Sequence, residues 1–172
     1  MSKNVYVDDE KVLKRLQSIN DLDLYKSMMA SVSLMYQTAS DELSSGFNHS
    51  KGDLKNKLNY DVRYNGNGEI IGELSNSSDH AIFVEFGTGT KGNGTYPYSP
   101  SETGINLTYT DKPYWRYKDA DGNWYTTKGQ VAHPFMFPAY KKNERKIKEL
   151  IQQDVHLTMS GNKYVSKSKG GK

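Results

Sequence analysis

The chain has 172 residues, no cysteine, 35% hydrophobic residues and a formal net charge of +3, long enough for one domain with a buried core. Disulfides, thiolate nucleophiles and cysteine-ligated metals are excluded, no apolar run approaches the ~20 residues of a membrane span, and residues 1–10 hold no signal-peptide core. The charge is too small to specify nucleic acid by itself, while a mean hydropathy of −0.81 points to polar loops and tails or to elements stabilised by subunit contacts.

Asp8 and Asp9 precede Val12, Leu13, Leu16 and Ile19, which share one helical face, with acids placed to favour the helix dipole. This predicts a short first helix. The pattern restarts near Asn20-Asp21 as Leu24, Met28, Val32, Met35, Ala39 and Leu43, an amphipathic helix of about six turns. Its methionines, beside Tyr25 and Tyr36, read as an adaptable core stripe. Gly46 and the polar run to Gly52 end it.

Leu58, Tyr60, Val62 and Tyr64 alternate with polar residues, the period of a half-buried strand. Gly66-Asn67-Gly68 supplies a turn and the segment Glu69 to Ser75 returns, giving a hairpin expected to pack on the long helix. Residues 82–86 are too few to separate helix from strand. The glycine-, serine- and proline-rich segment 87–104 predicts a long exposed loop. A second hairpin is expected from about Tyr114 to Thr127 around turn formers at 119–123. Pro138 stands where a last helix can begin, with Tyr140, Ile147, Leu150, Ile151 and Val155 as its apolar stripe. Residues 161–172 alternate Lys with Ser and Gly and read as a disordered basic tail; the four Asn-x-Ser/Thr sequons read as polar loop sequence.

Gly87-Thr88-Gly89-Thr90-Lys91-Gly92 fits G-x-G-x-x-G, but Asn93-Gly94-Thr95-Tyr96-Pro97 does not start the helix that a dinucleotide fingerprint needs, and Asn93 replaces the lysine of a phosphate-binding loop. His80, Glu85 and His133 would make an open zinc site only if their segments converged. The histidines read instead as residues flanking apolar segments. No serine has a nucleophile-elbow context and no carboxylate pair stands out, so the reading is of a protein that is not an enzyme and takes no cofactor or metal.

Glu85 lies in an apolar run, where a carboxylate must be paired to be buried. We read it as organising the adjacent turn, by accepting N–H or basic side-chain bonds, or as a subunit contact. Tyr96, Tyr98, Tyr109, Tyr114, Trp115, Tyr117, Trp124 and Tyr125 are interspersed with Lys112, Arg116, Lys118 and Lys128. Such a set suits a protein interface, a hairpin core or, as the alternative function, a single-stranded nucleic-acid platform. Glu85, Thr88, Tyr96, Tyr98, Trp115, Tyr117, Trp124 and Tyr125 form the candidate subunit or partner interface.

Two segments carry a family resemblance: His80-Ala81-Ile82-Phe83-Val84-Glu85-Phe86-Gly87-Thr88-Gly89, and Gly129-Gln130-Val131-Ala132-His133-Pro134-Phe135-Met136-Phe137-Pro138-Ala139-Tyr140. Their order, a Val-Glu-Phe-Gly-Thr-Gly run and then Pro-Phe-x-x-Pro-Ala before a C-terminal helix, resembles the head-tail joining, or tail-completion, family of long-tailed bacteriophages. The steps at Gly52-Asp53-Leu54-Lys55 and Pro113 to Tyr125 are similar to members from phages of Gram-positive hosts. The likeness runs from about Asp8 to Leu157, with Phe86, Gly87, Gly89, Pro134, Phe135 and Pro138 as its structural motif. It implies a virion component at the head-tail interface, made in the host cytoplasm. There it would form a homo-oligomeric ring, with six copies suspected, between head-completion proteins and tail-tube or tail-terminator proteins, with double-stranded DNA as passing cargo and no membrane contact. The expected fold class is α+β: N-terminal helices, an antiparallel sheet of about four strands and a C-terminal helix packed on the sheet. Residues 1–160 would be one joining domain with a long loop and hairpin at about 87–128.

Overall fold

A computed structural model describes residues 21–46, 53–67, 69–118 and 121–159. The expected first helix and basic tail lie outside them. The described elements run α1 (Asp21–Gly46), α2 (Asp53–Asn56), β1 (Leu58–Tyr64), β2 (Ile70–Asn76), α3 (Ala81–Phe86), α4 (Gly89–Gly92), α5 (Pro100–Thr103), β3 (Trp115–Lys118), β4 (Trp124–Thr127) and α6 (Met136–Met159). The described residues divide into two compact units, one falling within 21–32, 61–73 and 144–159, the other within 33–60 and 74–143.

α1 contains no proline and no glycine before its last residue. Its hydroxyl residues bond back along the helix: Ser31, Thr38 and Ser44 donate to the carbonyls of Ser27, Leu34 and Ser40 at 2.7, 3.1 and 2.7 Å. The buried Ser31 hydroxyl is thereby satisfied within the helix, while Thr38 and Ser44 also accept from Asn143 and Lys55. In the first unit Tyr25 donates to the Val62 carbonyl at 2.9 Å and stacks on Tyr64 with ring centroids 5.7 Å apart. Gly72 lets β2 lie close to α1, because a Cβ there would fall 2.5 Å from Val32 Cγ2 and 2.7 Å from Met28 Sδ. Ser27, also on α1, donates to Asp154 of α6. The expected packing of the first hairpin on the long helix is present here.

The second unit holds a core of Ala39, Leu43, Leu54, Leu58, Val84, Phe135 and Ala139, with Met35, Tyr36, Leu74 and Met136 packed against it. Five separate elements meet there, and only Phe135 among the buried members is aromatic. α2 is held by Asp53, which accepts from the buried Ser78 hydroxyl at 2.6 Å and pairs with Lys57 at 3.1 Å. Those contacts keep the Asp53 carboxyl below its ordinary range, the Ser78 bond contributing most.

The fold is mixed α+β, but the strands form two separate two-stranded antiparallel sheets, β1-β2 and β3-β4, instead of one sheet of about four. The reason lies in residues 81–103, where α3, α4 and α5 occupy the chain between the hairpins. Residues 82–86, left open between helix and strand, are helical. The segment 87–104, expected as a long exposed loop, is mostly exposed but carries two one-turn helices and buries Gly87, Gly89 and Gly92. α6 begins at Met136, so Pro138 sits inside its first turn, where the missing N–H costs nothing. Tyr140, expected on the apolar stripe of this helix, is exposed.

Candidate functional site

The chemistry of the second unit is concentrated where the two motif segments meet. α6 has no Ser, Thr, Asp or Asn before it; Phe135 occupies the capping position. Its first N–H groups therefore need an outside acceptor. Glu85 supplies one from fifty residues away, accepting from Phe135 N at 2.7 Å and Met136 N at 2.9 Å with Oε2, and from Phe137 N at 3.1 Å with Oε1. The residue is 5% exposed. A negative carboxylate at a helix N-terminus also meets the positive end of the dipole, so burial is offset by both hydrogen bonding and field. Beside it, His133 N donates to the Val84 carbonyl at 2.8 Å.

The Gly-Thr-Gly turn after α3 is fixed to the same partner segment. Thr88 N donates to the Gln130 carbonyl at 2.8 Å and Gln130 N returns to the Thr88 carbonyl at 3.1 Å, an isolated antiparallel bridge. Gln130 Nε2 donates to the Phe83 carbonyl at 2.8 Å, and the Tyr109 hydroxyl to the Phe86 carbonyl at 2.7 Å, covering the end of α3. Thr95 Oγ1 accepts from Ala132 N at 2.8 Å and donates to the Gly92 carbonyl at 2.7 Å. Gly89 has φ +62°, and a Cβ there would strike the Trp115 ring and approach Lys128 O at 2.7 Å. A side chain at this position is excluded both by backbone strain and by space.

Along one side of this junction runs a ladder of rings: Phe86–Tyr96, Tyr96–Tyr98, Tyr98–Phe137 and Phe137–Tyr140, with centroids 5.0, 5.5, 4.6 and 6.3 Å apart. The ladder borders an open groove of about 480 Å³, completed by Met35, Leu74, Ile82, Ile105 and Met136. Burial, reinforced by the nearby Glu85 charge, raises the Tyr96 hydroxyl pKa above its ordinary value. At its mouth Ile82 is 60% exposed, and on the same helix Phe83 is 50% exposed.

β3 and β4 pair Trp115 with Thr127, Arg116 with Thr126, Tyr117 with Tyr125 and Lys118 with Trp124. Because side chains alternate across a strand, one face carries Trp115, Tyr117 and Tyr125, and the other carries Arg116, Lys118 and Trp124. Tyr117 and Tyr125 stack at 5.6 Å. Arg116 and Lys118 lie 5.4 and 5.9 Å from the centre of the Trp124 ring, within cation–π range.

The interface residues read from sequence therefore fall into different settings. Tyr117, Trp124 and Tyr125 are exposed on the hairpin. Trp115 is half-buried over Gly89, Tyr96 and Tyr98 are half-buried in the ladder, and Thr88 is half-buried in the Gln130 bridge. The hydrogen bonds of Glu85 go to the start of α6. Of the structural motif, Gly87, Gly89, Phe135 and Pro138 are buried, while Phe86 and Pro134 are half-buried.

Sequence reading missed the Glu85-to-α6 link. Its signal was present as a helix beginning at Pro134–Pro138 with no capping residue of its own. The roles of Gln130 and of Tyr109, which reads in the sequence only as one of the aromatics, in terminating α3 were also not legible. Among the described residues no group of three His, Asp or Glu is placed to hold a metal ion, and no helix is long and apolar enough to cross a membrane. The oxygens of Glu85 are engaged by three N–H donors. Comparison with protein-family models, curated proteins and solved structures gives no match.

Proposed function

We propose that this chain is a structural virion protein of the phage head-tail junction, acting in tail completion or head-tail joining. In this reading it forms a ring that connects head-completion proteins to the tail tube. The single observation that carries the proposal is the coupling of the two resemblance-bearing segments through Glu85: the Val-Glu-Phe-Gly-Thr-Gly run and the Pro-Phe-x-x-Pro-Ala helix start form one hydrogen-bonded unit. Residues that define a motif and also depend on one another physically belong to one structural device.

What it provides is contact surface. The junction displays an apolar groove and exposed Ile82 and Phe83 on one side and an aromatic hairpin in the same unit. Apolar surface of this kind on a polar chain marks sites covered by another protein. A closed ring needs two different patches that meet head-to-tail between copies, and the groove and hairpin supply two. Genetic removal tests the proposal: without the gene, the phage should accumulate filled heads and free tails. Normal joined particles in its absence would rule the function out.

A nucleic-acid module remains the second reading, favoured by the exposed Trp124 with two cations beside its ring. Oligonucleotide affinity falling steeply with salt would distinguish it.

A further inference from the structure

We infer that the β3-β4 hairpin is a docking edge for an acidic, extended segment of a partner protein, which adds as a third strand and places carboxylates on Arg116 and Lys118. Three independent features lead there. The first is backbone: among the described residues the sheet has only two strands, so each has one edge with no strand neighbour. An edge of this kind presents unpaired N–H and C=O groups to an incoming strand, whereas a nucleic acid would leave them unused.

The second is charge. Arg116 and Lys118 project from the same face, and their contacts among the described residues are with the Trp124 ring instead of a carboxylate. In the sequence Lys112 and Lys128 flank the hairpin, against Asp111, Asp119 and Asp121 on the acidic side, and Asp111, Lys112, Asp121 and Lys128 are exposed. Two cations two residues apart on a strand match acids two residues apart on a partner strand, since both repeat on one face every second residue.

The third is the state of the aromatic rings. Tyr117 and Tyr125 already stack on each other and Trp124 lies beside two cations, so the rings are arranged as a hairpin surface and not as open platforms for successive bases. A two-stranded ribbon is marginal on its own, and a third strand would complete it. This inference does not require the ring reading: a partner strand can dock whether the chain is a ring subunit or not.

The test uses the full chain labelled with ¹⁵N and a short peptide alternating glutamate and valine, titrated to millimolar concentration. A peptide with lysine in place of glutamate and an oligothymidylate serve as the other arms. Amide shifts confined to residues 113–128, with affinity reduced roughly fivefold or more by R116Q/K118Q and by added salt, are expected. Absence of shifts with the glutamate peptide, or an equal response to the lysine peptide, overturns the inference. Shifts with oligothymidylate alone also overturn it and assign the face to nucleic acid. Both cations are exposed, so the charge-neutral variant should fold; an unchanged melting temperature confirms that lost binding is not lost structure. Failure here would leave the particle-joining test of the ring reading untouched.

Discussion

A carboxylate that accepts three main-chain N–H groups replaces the water those groups lose, and removing it leaves all three unsatisfied in a buried place. Glu85→Gln keeps the size but offers one oxygen and turns an NH₂ group towards donors. We expect it to cost about 2–3 kcal/mol in urea unfolding and to speed amide exchange at Phe135, Met136 and Phe137. Unchanged stability and exchange would show that α6 begins without this carboxylate. Asp53 gives a pH-dependent counterpart. Its folded pKa is lowered, chiefly by the Ser78 hydroxyl and then by Lys57, so its contribution is present above its unfolded value of about 3.8 and is lost as pH falls through the lower folded value. Asp53→Asn should therefore lower stability at neutral pH and above, flatten the acid limb of the stability curve, and converge with wild type below the folded value; parallel acid limbs in the two proteins would contradict this.

At the level of elements, the aromatic residues divide by what lies behind them. Phe135 is 1% exposed and central to the core, so Phe135→Ala should cost about 3–5 kcal/mol, whereas Phe137, half-buried beside the groove, should cost clearly less. Equal losses would mean that both are core. Trp115 and Trp124, which composition could not tell apart, take opposite faces of one hairpin. Trp115→Ser should lower the melting temperature, because the ring covers Gly89, while Trp124→Ser should stay within about 0.5 kcal/mol of wild type; the reverse order would place the hairpin with its other face inward. Long elements were legible from periodicity: α1, both hairpins and α6 follow from apolar spacing and turn residues. The six residues of α3 were not, since Val84 and Glu85 are buried side by side through contacts with distant segments. Nor was the separation into two sheets, because strand alternation specifies a face but not which strand becomes its neighbour. Glu85 was legible as a residue needing a partner; its partner, a helix start fifty positions away, was set by tertiary contact.

Among the described residues, a chain of low hydropathy builds a small core and leaves apolar surface in a groove, on a hairpin and at Tyr64, Ile71, Phe83 and Val131. That distribution supports assembly. Ile82→Glu or Phe83→Asp, at exposed positions, should lower the self-associated mass measured by analytical ultracentrifugation without shifting the melting temperature. Equal masses for variant and parent would remove the exposed side of α3 from the ring interface. The central claim is tested most directly by complementation in vitro. Purified chain is added to an extract of the parent phage lacking this gene, and infectious particles are counted. The account predicts that wild-type chain restores joining of preformed heads and tails, and that restoration is lost with Ile82→Glu; joined, infectious particles forming equally well without the chain would contradict it.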